Sequence, residues 1–176
     1  WYKSLKKRKE IKDVVMGAFN PIEKDYKWVL VSTVPLRSEY ETEKSKVIIT
    51  FEDITLMKRS EIALKESEAR YKELFNNMSS GVVVFEARDN GNDFILRDIN
   101  KASERIEDVK KKDVMNRMLS ELCPEESSLL SEKLRKVMRT GNPESFTAKF
   151  SCNNTSLWKQ SYIYKLHTGE IIYVYD

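Results

Sequence analysis

The 176-residue chain has few of the residues that mark several specialised protein classes. Its two cysteines, Cys123 and Cys152, have neither metal-ligand spacing nor a cysteine-rich context, so the sequence predicts reduced structural thiols. There are only five glycines and four prolines, beside 40% hydrophobic and 34% charged residues, which indicates little disorder. This composition predicts a protein of helices and strands with a hydrophobic core.

The sequence also lacks any apolar run long enough to cross a bilayer, and it does not open with a signal-peptide pattern. We therefore expect a cytoplasmic protein without direct membrane contact. The net charge is only +3 and gives no reason to expect a nucleic-acid partner, since the basic cluster at residues 6–9 is typical of the solvated face of a helix. The chain begins with Trp1 rather than Met, so we expect a piece of a longer protein.

Residue patterns typical of catalysis are missing as well. No nucleophile stands beside a base, there is no Gly-rich phosphate loop, and periodicity brings no pair of carboxylates together. The single histidine, His167, lies in KLHTGEI between two predicted strands, where an exposed turn residue is expected. The sequence therefore predicts no catalytic residue, no metal site and no enzyme activity for this chain.

An internal repeat is the most informative feature that is present. In the later copy, a helical pattern in PEESSLLSEKLRKVMRT precedes three alternating segments, ESFTAKF, LWKQSYIYKL and IIYVYD. The early copy has the same order, with a basic helical stretch before DVVMGAF, YKWVLVSTVPL and KVIITFED. Trp28 then matches Trp158, and Asp53 matches Asp176. Only the later copy has a further half, with the strands GVVVFEA and DFILRDIN and a polar helical region.

This arrangement resembles the PAS sensor family in tandem. ESEARYKELFNNMSSGVVVFEA, DINKASERI, VMRTGNPESF and the exit FEDIT resemble the segments of such domains in their usual order. The resemblance implies the C-terminal half of a first PAS domain at 1–55, a linker signalling helix at 56–70 and a second PAS domain at 71–176. The implied fold class is α+β, a five-stranded antiparallel sheet with flanking helices, preceded by a truncated half made of a helix and three strands.

The junction FEDIT joins a strand to a helix without a turn. Asp53 and Thr55 are good capping residues, because their side-chain oxygens accept hydrogen bonds from the free N–H groups of a first helical turn. Lys58 or Arg59 lies within reach of Asp53, so a charge-assisted contact could fix the angle of the helix. We therefore expect Asp53, Thr55 and Arg59 to relay movement from the sheet to the helix.

Two features predict a homodimer. Met57, Leu64, Tyr71 and Met78 recur every seven residues, as in a short parallel coiled coil, although the same residues could pack on their own domain. The truncated first half should also leave an apolar face uncovered, formed by Val47, Ile49 and Phe51 with Trp28 and Leu30.

In the PAS family, the ligand pocket lies between the inner face of the sheet and the helices after the second strand. Aligning the two copies on their terminal Asp residues assigns an inward row on each of two strands, with apolar helical residues opposite. Gln160 is a lone amide in this row, and an internal partner, water or a ligand would have to satisfy it. The candidate pocket residues are Ile106, Met115, Met118, Leu119, Trp158, Gln160, Tyr162, Tyr164, Ile172 and Val174.

The resemblance also bears on cofactors. Haem-binding PAS relatives use a histidine on the helix before the last three strands, and residues 126–140 contain none. Light-sensing flavin relatives carry an Asn-Cys-Arg motif, whereas Cys123 stands too late and lacks those neighbours. We therefore expect neither haem nor flavin, and an unidentified small molecule stays possible.

The predicted function is a sensory and signal-relay module of a larger signal-transduction protein of the histidine-kinase type, with a downstream kinase or other output domain in the parent chain. Two alternatives stay open. One is a purely structural PAS dimerisation module without a ligand, and the other is an enzyme that uses the sheet as a scaffold.

Overall fold

The computed structural model describes residues 10–36, 46–122, 127–152 and 155–176. The chain divides into two compact units, with the boundary between Ala69 and Arg70. The basic helix predicted at residues 5–10 falls largely outside the described residues. Elements are numbered below in chain order.

The first unit contains a three-stranded antiparallel sheet in the order β1-β2-β3, made of β1 (Ile11–Asn20), β2 (Asp25–Leu36) and β3 (Lys46–Asp53). The three strands predicted for the early copy are therefore confirmed. Asn20 starts the turn between β1 and β2, where its Oδ1 accepts a hydrogen bond from the backbone N–H of Ile22 at 3.0 Å.

Both faces of this first sheet carry apolar side chains. Directly opposed residues share a face, and Phe51 lies opposite Val31 whereas Leu30 lies opposite Glu52. The prediction of one shared apolar face is therefore wrong, because β2 has consecutive apolar residues and no alternation that would assign its face. The five predicted residues divide between the faces: Val47, Ile49 and Phe51 on one, Trp28 and Leu30 on the other.

Helix α1 (Thr55–Asn77) begins two residues after β3 ends. The predicted direct passage from strand to helix is confirmed. The helix crosses the boundary between the two units, and its role as a linker stays a prediction.

The second unit is built on a five-stranded antiparallel sheet in the order β5-β4-β8-β7-β6. Its strands are β4 (Gly81–Arg88), β5 (Asp93–Ile99), β6 (Glu144–Cys152), β7 (Thr155–Lys165) and β8 (Ile171–Tyr175). Between β5 and β6 come α2 (Lys101–Glu107), α3 (Lys111–Val114), α4 (Leu119–Leu122) and α5 (Ser127–Thr140). This is the predicted α+β architecture of five antiparallel strands with flanking helices.

The main core of the second unit lies between the inner face of this sheet and its helices. Helix α5 buries Leu130, Leu134 and Val137, and Met138 packs against the same cluster, as the helical spacing predicts. The outer face of the sheet is covered near the end of α1, where the buried Phe75 packs against Val82, Val84 and Ile172.

Candidate ligand-binding site

A cavity of about 630 Å³ lies between the inner face of the five-stranded sheet and the helices that follow β5. This volume is in the range of small-molecule sites. The lining combines apolar residues from both the sheet and the helices with charged and polar residues. The apolar lining residues are Val83, Phe85, Leu96, Ile99, Val109, Val114, Leu119, Leu122, Leu130, Phe150, Tyr173 and Tyr175.

A buried ion pair joins the sheet to helix α2 at this cavity. Lys159 of β7 donates from Nζ to Oε1 of Glu107 over 2.5 Å, and the two side chains are 8% and 25% exposed. The same Nζ lies 5.3 Å from the ring centroid of Phe150 and 4.7 Å from that of Tyr175. Two aromatic rings and one carboxylate therefore hold the ammonium group, as a buried charge requires.

Tyr175 places a phenolic hydroxyl in the same polar cluster. The residue is 1% exposed, and its Oη has no partner in hydrogen-bonding geometry, although Ser103 and Glu107 are near enough to influence its pKa. Burial raises the pKa of Tyr175 well above its ordinary value, and the negative charge of Glu107 raises it further. The hydroxyl therefore keeps its proton at neutral pH.

Asn100 fixes the start of the helix that carries Ser103 and Glu107. It is completely buried and caps α2, where its Oδ1 accepts hydrogen bonds from the N–H groups of Ser103 at 2.9 Å and Val82 at 3.0 Å. Its Nδ2 donates to the carbonyl oxygen of Ser80 at 2.9 Å. Because Ser103 and Glu107 are four residues apart, one helical face then presents both to the cavity.

Comparisons with known proteins found a relative in sequence and solved structures of similar fold. No family model matches the chain. The sensor histidine kinase TmoS of Ectopseudomonas mendocina is 28% identical over 105 residues, which are 58% of this chain and 10% of that protein. The chain therefore spans about a tenth of the length of this curated relative.

Among solved structures, a PAS domain of an HTR-like protein from Haloarcula marismortui matches with a TM-score of 0.53 and 15% identity, over 68% of this chain and 98% of that one. A domain of a sensory box sensor histidine kinase/response regulator from Geobacter sulfurreducens matches with a TM-score of 0.51 and 16% identity, over 64% of this chain and 95% of that one. The fold is that of a PAS domain.

The residues of β7 and β8 that face the cavity are not the predicted ones but those that alternate with them. On β7 the buried inner row is Lys159, Ser161 and Ile163, and on β8 it is Ile171, Tyr173 and Tyr175. The inward assignment of six candidates is therefore wrong, because both strands carry large side chains on both faces and their alternation alone is ambiguous. The six that lie on the outer face are Trp158, Gln160, Tyr162, Tyr164, Ile172 and Val174.

Gln160 illustrates the consequence of this reversal. Gln160 is exposed, and its backbone N–H and carbonyl oxygen form hydrogen bonds with the backbone carbonyl oxygen and N–H of Asp176, each at 3.2 Å. The buried amide that a ligand might satisfy therefore does not exist. Trp158 is 70% exposed and therefore does not line a buried pocket either.

Of the helical candidates, Leu119 lines the cavity of the second unit. Ile106 and Met115 pack against the main core without lining the cavity. Met118 is half-buried and pairs through its backbone with Ile95 of β5. The structure thus brings one of the ten predicted residues to the cavity.

Sequence reasoning missed Lys159, Glu107 and Tyr175, although one signal pointed to the correct face. The sequence CNNT is typical of a two-residue hairpin, which pairs Cys152 with Thr155. Counting back from that pair places Lys159 of β7 opposite Ala148 of β6. Because directly opposed residues share a face and Ala148 packs against the core, Lys159 also faces the core.

The three predicted relay residues meet at the junction of β3 and α1 in the first unit. Asp53 Oδ1 accepts from the backbone N–H of Thr55, the first residue of α1, at 2.9 Å. Hydrogen bonds from the side chain and the backbone of Thr55 lower the pKa of Asp53, and its capping role stays a prediction. Thr55 accepts instead from the backbone N–H of Trp28 at 2.9 Å. The predicted contact of Asp53 with Lys58 or Arg59 is wrong, since Arg59 pairs with Asp25 and Lys58 with Glu61.

The remaining site predictions concern His167 and the cysteines. His167 is exposed in the turn between β7 and β8, as predicted. Cys123 and the side chain of Cys152 lie outside the described residues. Within the described ranges, no group of three or more His, Cys, Asp or Glu could hold a metal ion, and no helix is long and apolar enough to cross a membrane.

Proposed function

We propose that this protein is a sensory and signal-relay module of a larger signal-transduction protein of the histidine-kinase type, and that its cavity binds a small molecule. The PAS fold, the similarity to two kinase-associated sensor proteins and the cavity support this function. A kinase or other output domain elsewhere in the parent chain would receive the signal. Location in the cytoplasm stays an expectation from the sequence.

The observation that carries the proposal is the ion pair of Lys159 and Glu107 in the wall of the cavity. A cavity wall that contains a lysine–glutamate pair is costly for a core that serves packing alone. The same groups are useful when a ligand must be oriented. The cavity therefore favours a sensor over a closed structural core.

Helix α1 is the proposed relay because it is attached at both ends. Near its start, Thr55 bonds to Trp28 of β2, and near its end Phe75 packs on the outer face of the second sheet. A change in the curvature of the second sheet would shift Phe75 and, through it, the helix.

A cavity-filling variant tests ligand binding. Leu119→Trp should block the cavity, whereas Leu129→Trp adds the same ring at a residue that is 38% exposed and outside the lining. Native mass spectrometry and thermal-shift screening against a metabolite library should detect a compound that binds the unaltered protein and Leu129→Trp but not Leu119→Trp. The proposal would be contradicted if native mass spectrometry of the unaltered protein showed only the mass of the ligand-free chain and no library compound raised its melting temperature.

Haem and flavin are not part of the proposed function. The purified protein should show neither a Soret band nor a flavin spectrum, because α5 carries no histidine and the chain has no Asn-Cys-Arg motif. Either spectrum at near-stoichiometric occupancy would contradict this expectation.

A structural dimerisation module is the second candidate, and the exposed seam of α1 favours it. Met57, Leu64, Tyr71 and Met78 are 66%, 61%, 52% and 42% exposed. A partner helix would bury such a row, and a stable dimer needs about 800 Å² from each chain. We propose a homodimer in which the seam and the first sheet both contribute.

Light scattering on two matched variants tests this dimer. Leu64→Glu should shift the protein towards the monomer, whereas Lys65→Glu, one position outside the seam, should leave the dimer intact. A monomeric unaltered protein would refute the dimer. If the Leu64→Glu variant remained as fully dimeric as the unaltered protein, the proposed role of the α1 seam in the dimer would be refuted.

A further inference from the structure

We infer that the outer edge of β3 pairs antiparallel with the same edge of a second copy of this chain, with Ile49 opposite its own counterpart. The two first sheets then join into one continuous sheet. This inference rests on the proposed dimer and deepens it, because it names the strand and the register through which the first sheet contributes. Three observations carry it: the open edge, the direction of its backbone groups and the self-complementary order of its side chains.

The outer edge of β3 is open. The strand order places β2 on one side of β3 and, within the described residues of the first unit, no strand on the other. The first turns of α1 contact β2 instead, through Thr55 with Trp28 and through Arg59 with Asp25. An unpaired strand edge presents free N–H and C=O groups to which another strand can bond.

β3 also lacks the features that protect edge strands from pairing. The other edge strand, β1, has an irregular register between Ile11 and Val14, and Asp13 has a positive φ of 58°. Such irregularities and charged side chains hinder pairing along an edge. In contrast, β3 keeps one register against β2 from Lys46 to Asp53, and its charged residues stand only at its two ends. The edge of β3 is therefore the one suited to pairing.

The ladder between β2 and β3 identifies the backbone groups that face outward. Just after β3, Ile54 donates its N–H to the carbonyl oxygen of Trp28 at 2.9 Å. Bonded and non-bonded pairs alternate along an antiparallel ladder, so the even-numbered residues of β3 bond to β2. Pro35 has no N–H and fits this assignment, because it lies opposite the odd-numbered Val47. The odd-numbered residues of 47–53 therefore direct their N–H and C=O groups to the outer edge.

The sequence of β3 is complementary to itself about Ile49. A two-fold axis at this residue opposes the outward-facing residues of the two copies and places Val47 opposite Phe51 of the second copy. It also places Lys46 opposite Glu52 of the second copy, and every such contact occurs twice. Opposite charges and apolar neighbours across strands stabilise pairing, and Phe51 is 70% exposed in the single chain. Any other register that opposes the outward-facing residues separates Lys46 from Glu52.

Residue-specific cross-linking tests the register. In the full chain carrying Cys123→Ser and Cys152→Ser, Ile49→Cys should form a disulfide-linked dimer on mild oxidation. Directly opposed bonded residues have Cα atoms about 5.5 Å apart, which is within disulfide range. Ile48→Cys is the matched control, because Ile48 opposes Thr50 of the second copy and the two introduced thiols belong to residues about 7–8 Å apart. Ile48 is the more exposed residue, so random collision favours the control.

Charge reversal tests the side-chain pairs across the edge. Lys46→Glu and Glu52→Lys should each weaken dimerisation by about three- to tenfold in sedimentation equilibrium, because each variant places two like-charged pairs in the dimer. The double variant Lys46→Glu/Glu52→Lys exchanges the two charges and should restore the affinity of the unaltered protein. Both residues are exposed, so these changes leave the core of the first unit intact.

Equal cross-linking of Ile49→Cys and Ile48→Cys would overturn the register, and so would a double variant that dimerises no better than the single variants. If light scattering still showed a dimer in that case, the proposed dimer would stand without this edge. A monomeric unaltered protein would overturn both the edge pairing and the dimer. The sensor function is judged separately by the Leu119→Trp experiment, which does not depend on dimerisation.

Discussion

Removing the carboxylate of Glu107 should destabilise the second unit more than removing the ammonium group of Lys159. The two groups form one ion pair, but the atoms left behind differ in their access to water. Glu107→Ala leaves a lysine side chain that is 8% exposed, whereas Lys159→Met leaves a glutamate side chain that is 25% exposed. The Lys159 ammonium group that remains in Glu107→Ala is therefore harder to hydrate than the Glu107 carboxylate that remains in Lys159→Met.

The size of the difference follows from that burial. Loss of one partner from a fully buried pair destabilises by about 3–5 kcal/mol, so we expect about 3 kcal/mol for Glu107→Ala. For Lys159→Met we expect about 1 kcal/mol, because the remaining carboxylate reaches water and the methionine keeps the apolar stem. The double variant leaves no unpaired charge and should lose only about 2 kcal/mol, which is about 2 kcal/mol less than the two single losses together.

Urea unfolding followed by the amide signals of Ile163 and Ile171 would measure these free energies of unfolding. Both residues are fully buried in the second unit, so their signals report that unit alone. Arg117 and Glu121 form a control pair at 3.6 Å with side chains 50% and 55% exposed. Their coupling free energy should stay below about 0.5 kcal/mol.

Two results would refute the reasoning about the buried pair. Equal losses for the two single variants would mean that burial does not distinguish the survivors. A double variant whose loss equals the sum of the single losses would mean that Lys159 and Glu107 do not stabilise each other.

Three further predictions concern single side chains. Asn100→Ala should lower the free energy of unfolding by about 2–4 kcal/mol in urea titrations, because it leaves buried backbone groups unpaired; an unchanged midpoint would contradict its role. Tyr175→Phe should preserve or slightly raise the melting temperature of the ligand-free protein, since it removes an unpaired buried hydroxyl, and a marked fall would show that the hydroxyl has a partner. Asp53→Ala should speed hydrogen exchange in residues 56–66 and spare the second unit, and unchanged exchange there would exclude a capping role. Because hydrogen bonds from Thr55 lower the pKa of Asp53, the cap is intact above the ordinary value of 3.8 and should be lost in the unaltered protein as the pH falls through the lowered pKa.

The candidate site shows how far local patterns reach. The position of Leu119 in the wall and the contact of Asp53 with the first residue of α1 could be predicted, because each depends on residues close in sequence. The ion pair could not, since 52 residues separate Lys159 from Glu107 and nothing local couples them. Arg59 likewise forms its ion pair with Asp25, which is 34 residues away, and not with the nearby Asp53.

By itself, the sequence determined the order and the type of the main elements within the described residues of both units. Alternation, helical spacing and capping residues are local properties, so the strands, the long helix α1 and the helical region after β5 all appeared where they were expected. The resemblance to PAS domains followed from that order. Only the tertiary structure decided which face of β7 and β8 meets the helices, because a strand with large side chains on both sides satisfies either choice until its neighbours are in place. That choice of face buries Lys159 and Tyr175 between the sheet and the helices and leaves Trp158 exposed to solvent.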